Sequence, residues 1–176
     1  MDADPTTGPA EPNVEVRLAR PDEYEEIGRV TLSAWRPWTS RDDPAWRRFA
    51  EPVADVGARA KVAQVFVALD EGRIAGSVTL ELRERIPDHQ GSAPLEPGEA
   101  HIRLLGVAAA FRRRGIARRL VEQCILAARR AGKTCLTVDT AFDNHAARSL
   151  YVAVGFTRQS DVVRRGRSVA SFVLPL

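Results

Sequence analysis

Residues 104–117 read Leu-Leu-Gly-Val-Ala-Ala-Ala-Phe-Arg-Arg-Arg-Gly-Ile-Ala. An apolar strand ends there, a short loop turns through Arg112, Arg113, Arg114 and Gly115, and an amphipathic helix follows at once. Over 115–131 the helix sets Ile116, Leu120, Val121, Cys124, Ala127 or Ala128, and Ala131 on one face and points its arginines outward. Gly132 is the expected terminator. A helix start leaves backbone N–H groups unpaired and carries positive partial charge, which makes it an anion site. Gly115 lets the backbone approach a phosphate where a Cβ would obstruct it, and small Ala117 permits similarly close packing. The arginines add bidentate donors for phosphate oxygens. On spacing alone the same residues also read as a solvated basic loop. They form neither a Walker A loop, which needs Gly-Lys-Ser/Thr, nor a GxGxxG fingerprint.

The flanking pattern sets this unit in a mixed sheet. Val14, Val16 and Leu18 alternate with polar neighbours, a strand signature. Pro21, Asp22 and Glu23 start a helix, continued by Ile27, Val30, Thr31 and Ala34 and broken between residues 35 and 44 by two prolines. A second helical piece over 45–60 is interrupted by Pro52 and Gly57. Apolar, β-branched runs at 64–69 and 73–82 flank Asp70-Glu71-Gly72, a hairpin by turn chemistry. Residues 83–98, rich in proline and glycine, read as a long loop of the kind that often carries function. Strands are expected at 101–107 and 134–139. A helix over 144–154 is capped by Asn144 and closed by Gly155, and strands at 156–164 and 168–174 surround an Arg165-Gly166 turn. The expected order is β-α-α-β-β-β-α-β-α-β-β, an α/β (α+β) sheet with helices on its faces and no repeats.

The chain has 176 residues and 44% apolar content, enough for one domain with a proper core. That domain is expected over 14–176, after a disordered, proline-bearing tail over 1–13. No run approaches the roughly 18 apolar residues of a membrane helix. The acidic, Pro-rich start has neither the basic nor the apolar region of a secretory signal. Cys124 and Cys135 make no disulfide framework or metal-ligand spacing, so a reducing cytoplasm is the expected setting. Net charge is +3, from 26 basic and 23 acidic residues. From Glu81 to Ala100 five acids face two bases, whereas from His101 to Ala131 eight arginines face the single acid Glu122. Clustered arginine suggests a polyanionic partner, either nucleic acid or a phosphorylated small molecule.

The second informative segment is Asn144-His145-Ala146-Ala147-Arg148-Ser149-Leu150-Tyr151-Val152-Ala153-Val154-Gly155-Phe156. Ala147, Leu150, Tyr151 and Val154 share a helical face, and by itself Tyr151 reads as a packed aromatic and Asn144 as an N-cap. Taken with the first segment, it resembles the GCN5-related N-acetyltransferase (GNAT) superfamily. Arg112-x-x-Gly115-x-Ala117 after a strand matches the family's Arg/Gln-x-x-Gly-x-Gly/Ala cofactor loop. Asn144-x-x-Ala147-x-x-Leu150-Tyr151-x-x-x-Gly155-Phe156 matches its later motif. The motifs cover residues 101–156, and the element order extends the likeness from about residue 14 to the C-terminus. Two departures stand out: Ala108-Ala109 where Asp-Pro is frequent, and Ala117 in place of the last loop glycine.

The resemblance implies a GNAT-like, mostly antiparallel sheet of six to seven strands flanked by about four helices, and an enzyme that takes acetyl-CoA as co-substrate. It implies that backbone groups of Leu105, Gly106 and Val107 bond the pantetheine arm like an added strand. Amides across Arg112, Arg113, Arg114, Gly115, Ile116 and Ala117 would cradle the pyrophosphate. Asn144 looks like the family's cofactor-contacting asparagine and Tyr151 like the acid that protonates the departing thiolate. An amine acceptor arrives protonated at neutral pH and must lose a proton before it attacks. His101, Glu99 and Asp139, in that order, are the candidate bases, with a water relay as the alternative. Glu99 and His101 lie two apart and so share a strand face. Each also has an ordinary reading: Glu99 as a loop-end charge, His101 as a satisfied strand residue and Asp139 as a loop cap.

No His, Cys or carboxylate pair has metal-site spacing, and no nucleophile motif appears, so direct attack on the thioester without an acyl-enzyme is expected. The resemblance implies that the acceptor, a small-molecule or peptide amine, binds between residues 35–46 and 83–98. There Trp35, Trp38 and Trp46 could wall the cleft, and Asp42, Asp43, Glu84, Asp88 and Glu96 would favour a cation. The competing readings are an acyl-CoA-binding sensor without turnover and a nucleic-acid module on the arginines, for which only Phe111 supplies an interleaved aromatic. No membrane partner is expected, and the chain is expected as a monomer or homodimer.

Overall fold

The computed structural model describes residues 14–35, 50–83, 94–164 and 167–176. The expected N-terminal tail, Trp38, Trp46, Asp42, Asp43, Glu84, Asp88 and the Arg165-Gly166 turn lie outside those residues. Among the described residues the strands and α-helices run in the order β1 (Val14–Leu18), α1 (Tyr24–Trp35), α2 (Val56–Ala60), β2 (Gln64–Asp70), β3 (Arg73–Glu81), β4 (Glu99–Val107), α3 (Ile116–Arg130), β5 (Cys135–Thr140), α4 (His145–Val154), β6 (Thr157–Arg158), β7 (Val162–Arg164) and β8 (Arg167–Pro175). They pair in the order β1-β2-β3-β4-β5-β8-β6, with β7 folded back on β8. The pair β4–β5 is parallel and the other described pairs are antiparallel. This is the mixed, mostly antiparallel sheet that the resemblance implies, with the short β7 as an eighth strand beside the seven of the main path.

Strands β2 and β3 bury almost every residue because helices cover both faces of the sheet. One apolar cluster packs Ile116, Leu120 and Cys124 of α3 and Tyr151 of α4 on Ala100, Ile102, Leu136, Val138 and Phe172. A second joins Ile27 of α1 and Val56 of α2 to Val65 and Val67 of β2. Strand alternation therefore turns Glu99, His101 and Arg103 of β4, with Thr137 and Asp139 of β5, away from the α3–α4 face.

The central pair opens partway along. Its register runs from Glu99 opposite Cys135 to Ile102 opposite Val138 and stops there, although β4 continues to Val107 and β5 to Thr140. On the β3 side, Ser77 opposes Gly106 and Thr79 opposes Arg103, so β4 carries one extra residue. Leu104 takes up that bulge with φ +52°. A bulge bends and twists its strand, which is how β4 parts from β5.

Several boundaries differ from the sequence expectation. The expected 156–164 strand is two short strands, because the chain leaves the ladder after Gln159, whose N–H still donates to the Ser171 carbonyl at 2.9 Å, and Arg158 pairs with Asp161 at 2.6 Å. Strand β4 starts at Glu99 and takes in both nearby candidate bases. Ala131 is exposed at the end of α3. Leu18 is half-exposed, which suits the edge strand that carries it.

Candidate active site

The loop between β4 and α3 is pinned from within. Ala108 N–H donates to the Ala75 carbonyl at 2.9 Å. Phe111 is buried, with the guanidinium carbons of Arg73 and Arg114 lying 5.2 and 5.7 Å from its ring centre. Arg114 pairs with the buried Asp70 carboxylate at 2.9 Å. Arg112 donates to the carbonyls of Val107 at 3.2 Å and Ala34 at 3.3 Å. Two of the three loop arginines thus brace the loop against β2, β4 and α1. Arg113 and Gly115 both have positive φ, +66° and +75°. Positive-φ residues on either side of Arg114 give a backbone pattern of the kind from which N–H concavities for anions are built. A Cβ built on Gly115 would meet nothing within 4 Å, so the space above the loop is open.

Leu105, Gly106 and Val107 lie on the stretch of β4 that has left β5. Gly106 is needed for packing as well, because a Cβ there would approach the Ala34 Cβ to 3.0 Å. The backbone edge that faces the opening is thereby set directly beside α1.

Below the opening, the polar face of the sheet gathers the candidate bases. His101 Nδ1 lies 2.8 Å from Thr137 Oγ1, and that hydroxyl donates to Glu99 Oε1 at 2.5 Å, with a longer 3.3 Å approach to the Ala100 carbonyl. The other Glu99 oxygen accepts the Glu96 N–H at 2.8 Å. Beside them Arg103 pairs with the buried Glu81 at 2.8 Å. Burial pushes His101 below the usual histidine pKa and Arg103 adds to that, against the opposing pull of Asp139, Glu81 and Glu99. The imidazole is therefore neutral at pH 7.

Tyr151 sits on the other face, buried between Phe156 and Phe172, whose ring centres are 5.7 and 5.8 Å away. Burial drives its phenol well above the ordinary tyrosine range, and Cys124 and Asp139 push the same way. Asp139 thus acts electrostatically on both His101 and Tyr151. Asn144 caps α4, its side-chain oxygen accepting the Ala147 N–H at 3.2 Å, which leaves its amide N–H groups for other partners.

The structure brings His101, Glu99 and Asp139 together on one face of the central pair, with Tyr151 behind the other. Sequence reasoning missed Thr137, the Arg103–Glu81 pair and the bracing Asp70. The available signal was the alternation of Thr137 with Asp139 along β5. Which β4 residue Thr137 opposes depends on strand register, and spacing within one strand does not reveal that.

The arrangement is an open α/β sheet whose parallel central strands part beside the loop that leads into α3. Solved acetyltransferases share the fold. A putative acetyltransferase of Salmonella typhimurium, yncA, solved with acetyl-CoA, is 20% identical, with a TM-score of 0.67 over 92% of this chain and 93% of that one. An N-acetyltransferase of Staphylococcus aureus Mu50 is 19% identical, with a TM-score of 0.69 over 93% and 98%. A GNAT-family acetyltransferase of Brucella melitensis, solved with acetyl-CoA, is 20% identical, with a TM-score of 0.63 over 92% and 87%. The fold is that of the acetyltransferases. The chain belongs to the acetyltransferase (GNAT) family, whose sequence model matches residues 22–156. No functionally curated protein matches it. Among the described residues, no group of three or more His, Cys, Asp or Glu side chains could hold a metal ion. No helix there is long and apolar enough to cross a membrane.

Proposed function

We propose that the protein transfers the acetyl group of acetyl-CoA directly to a primary amine of a small molecule or peptide, with both substrates bound together. The observation that carries this reading is the opening between β4 and β5, which has a neutral imidazole on one face and a buried phenol on the other. The cofactor fits the residues present. The freed β4 edge at Leu105, Gly106 and Val107 offers backbone groups to an amide-bearing arm. The N–H concavity at Arg113 to Gly115, continued by Ile116 and Ala117, suits a pyrophosphate. When bound, acetyl-CoA supplies an acyl group activated as a thioester.

His101 takes the proton from the acceptor ammonium, because a neutral imidazole at pH 7 is a competent base. The carboxylates of Glu99 and Asp139 favour the imidazolium that results. Tyr151, whose phenol keeps its proton across the physiological range, donates a hydrogen bond to the sulfur as it departs, and the second proton that the nitrogen sheds on becoming an amide ends on that thiolate. Asn144 holds the cofactor near its reactive end through its amide. The carboxylates around His101 favour a cationic acceptor by Coulomb attraction. Thiol release measured against a panel of cationic and neutral amines tests the reading. Acetyl-CoA-dependent release that His101→Gln abolishes is the expected result. Binding without turnover across the panel would leave the acyl-CoA sensor in its place.

A further inference from the structure

Strand β5 contributes a hydroxyl that spans two strand positions of its neighbour. Thr137 lies directly opposite His101 in the parallel register, with its oxygen 2.8 Å from His101 Nδ1 and 2.5 Å from Glu99 Oε1. A threonine hydroxyl has one proton and two lone pairs. The carboxylate of Glu99 can only accept, so the hydroxyl proton points at Glu99 and the oxygen is left to accept from the imidazole. Nδ1 then carries the ring proton, and Nε2 keeps its lone pair. Among the described residues Nε2 has no hydrogen-bond partner, and the residue is not fully enclosed. Glu99 is itself held in place by the Glu96 N–H.

We infer that Thr137 is a positioning residue that, by handing its proton to Glu99 and accepting the Nδ1 proton of His101, fixes the histidine tautomer with Nε2 bare. This rests on the reading of His101 as the base. The arrangement does for a histidine what a buried carboxylate does in a hydrolase triad, with a hydroxyl interposed. No proton travels along the chain. The acceptor's proton goes to Nε2, Nδ1–H stays with Thr137, and the Thr137 proton stays on its own oxygen, so the Glu99 charge stabilises the imidazolium through an oriented hydroxyl. Other charges facing the ring are Asp139 from β5, Glu81 from β3 and Arg103 from β4. Thr137→Val leaves these in place and removes only the bridge.

The test needs no acceptor. Long-range proton–nitrogen spectra of histidine-labelled full-length protein report which ring nitrogen is protonated, and His101→Gln assigns the signals. The expected result is an Nδ1–H tautomer in the wild type and in Thr137→Ser, and loss of that preference in Thr137→Val at an unchanged thermal midpoint. An Nε2–H tautomer in the wild type, or a Thr137→Val spectrum like that of the wild type, overturns the assignment. In turnover assays with an amine that the enzyme acetylates, Thr137→Val is expected to lower kcat about ten- to a hundredfold with little change in the KM for acetyl-CoA. It should also move the acid limb to lower pH, because the imidazolium loses an acceptor, and Thr137→Ser should restore both. Full activity in Thr137→Val would overturn the positioning role. The predicted tautomers without acetylation of any amine would uphold the bridge and reject the transferase reading instead.

Discussion

Arg114 in the anion loop reaches 2.9 Å to Asp70 at the end of β2, joining an exposed cation to a carboxylate that is almost wholly buried. The pair fixes the loop against the β2–β3 hairpin, and Phe111 fills the gap between them. The partners are not equivalent. Arg114→Ala strands a buried charge, whereas Asp70→Asn leaves a half-exposed guanidinium that water can solvate. Arg114→Ala is expected to destabilise by about 1–3 kcal/mol and Asp70→Asn by less. Both should weaken acetyl-CoA binding, as thermal unfolding and calorimetry would record.

Gly115 has φ +75° and open space above it. An alanine there adopts a left-handed conformation at roughly 1–2 kcal/mol and puts a methyl group where an anion would approach. Gly115→Ala is expected to lower the thermal midpoint by a few degrees and to lose acetyl-CoA affinity by more than that strain explains. An unchanged affinity would move the anion site elsewhere.

Tyr151 is packed between Phe156 and Phe172, so Tyr151→Phe keeps the ring contacts and removes only the hydroxyl. Loss of about 10²–10⁴-fold in kcat with acetyl-CoA affinity retained is the expected outcome. An unchanged kcat would make Tyr151 a core residue and nothing more.

Glu23 is held at a pKa of about 2, mainly by hydrogen bonds from Arg17 at 2.8 and 2.5 Å and also by the Arg20 N–H, against the effect of burial. Its folded pKa lies below the ordinary 4.5. The stabilisation is therefore complete above pH 4.5 and is lost as pH falls from there towards 2. Glu23→Gln is expected to cost about 1–2 kcal/mol at pH 7 and to flatten that part of the stability curve, which denaturant titrations between pH 2 and 7 would follow.

The elements that the sequence made legible are those in which local chemistry decides. Gly115 before Ile116 marked the start of α3, Asn144 and Gly155 bracketed α4, and Asp70-Glu71-Gly72 placed the hairpin, because caps and turns depend on residues adjacent in the chain. Arg112 and Arg114 read as phosphate donors because an arginine run looks the same in sequence whether it faces a ligand or braces a loop. Only the fold brings Asp70 and the Ala34 carbonyl to them. Thr137 escaped notice for a related reason: its partners Glu99 and His101 lie 38 and 36 residues away in sequence. The bulge at Leu104 was equally hidden, since nothing in a run of leucines announces a positive φ.

Calorimetric titration of the full-length protein with acetyl-CoA, with ATP and a DNA duplex as controls, tests the central claim most directly. Selective micromolar binding of acetyl-CoA, weakened in Gly115→Ala, is the predicted result. Binding of the duplex without acetyl-CoA, or no acetyl-CoA binding at all, would contradict it.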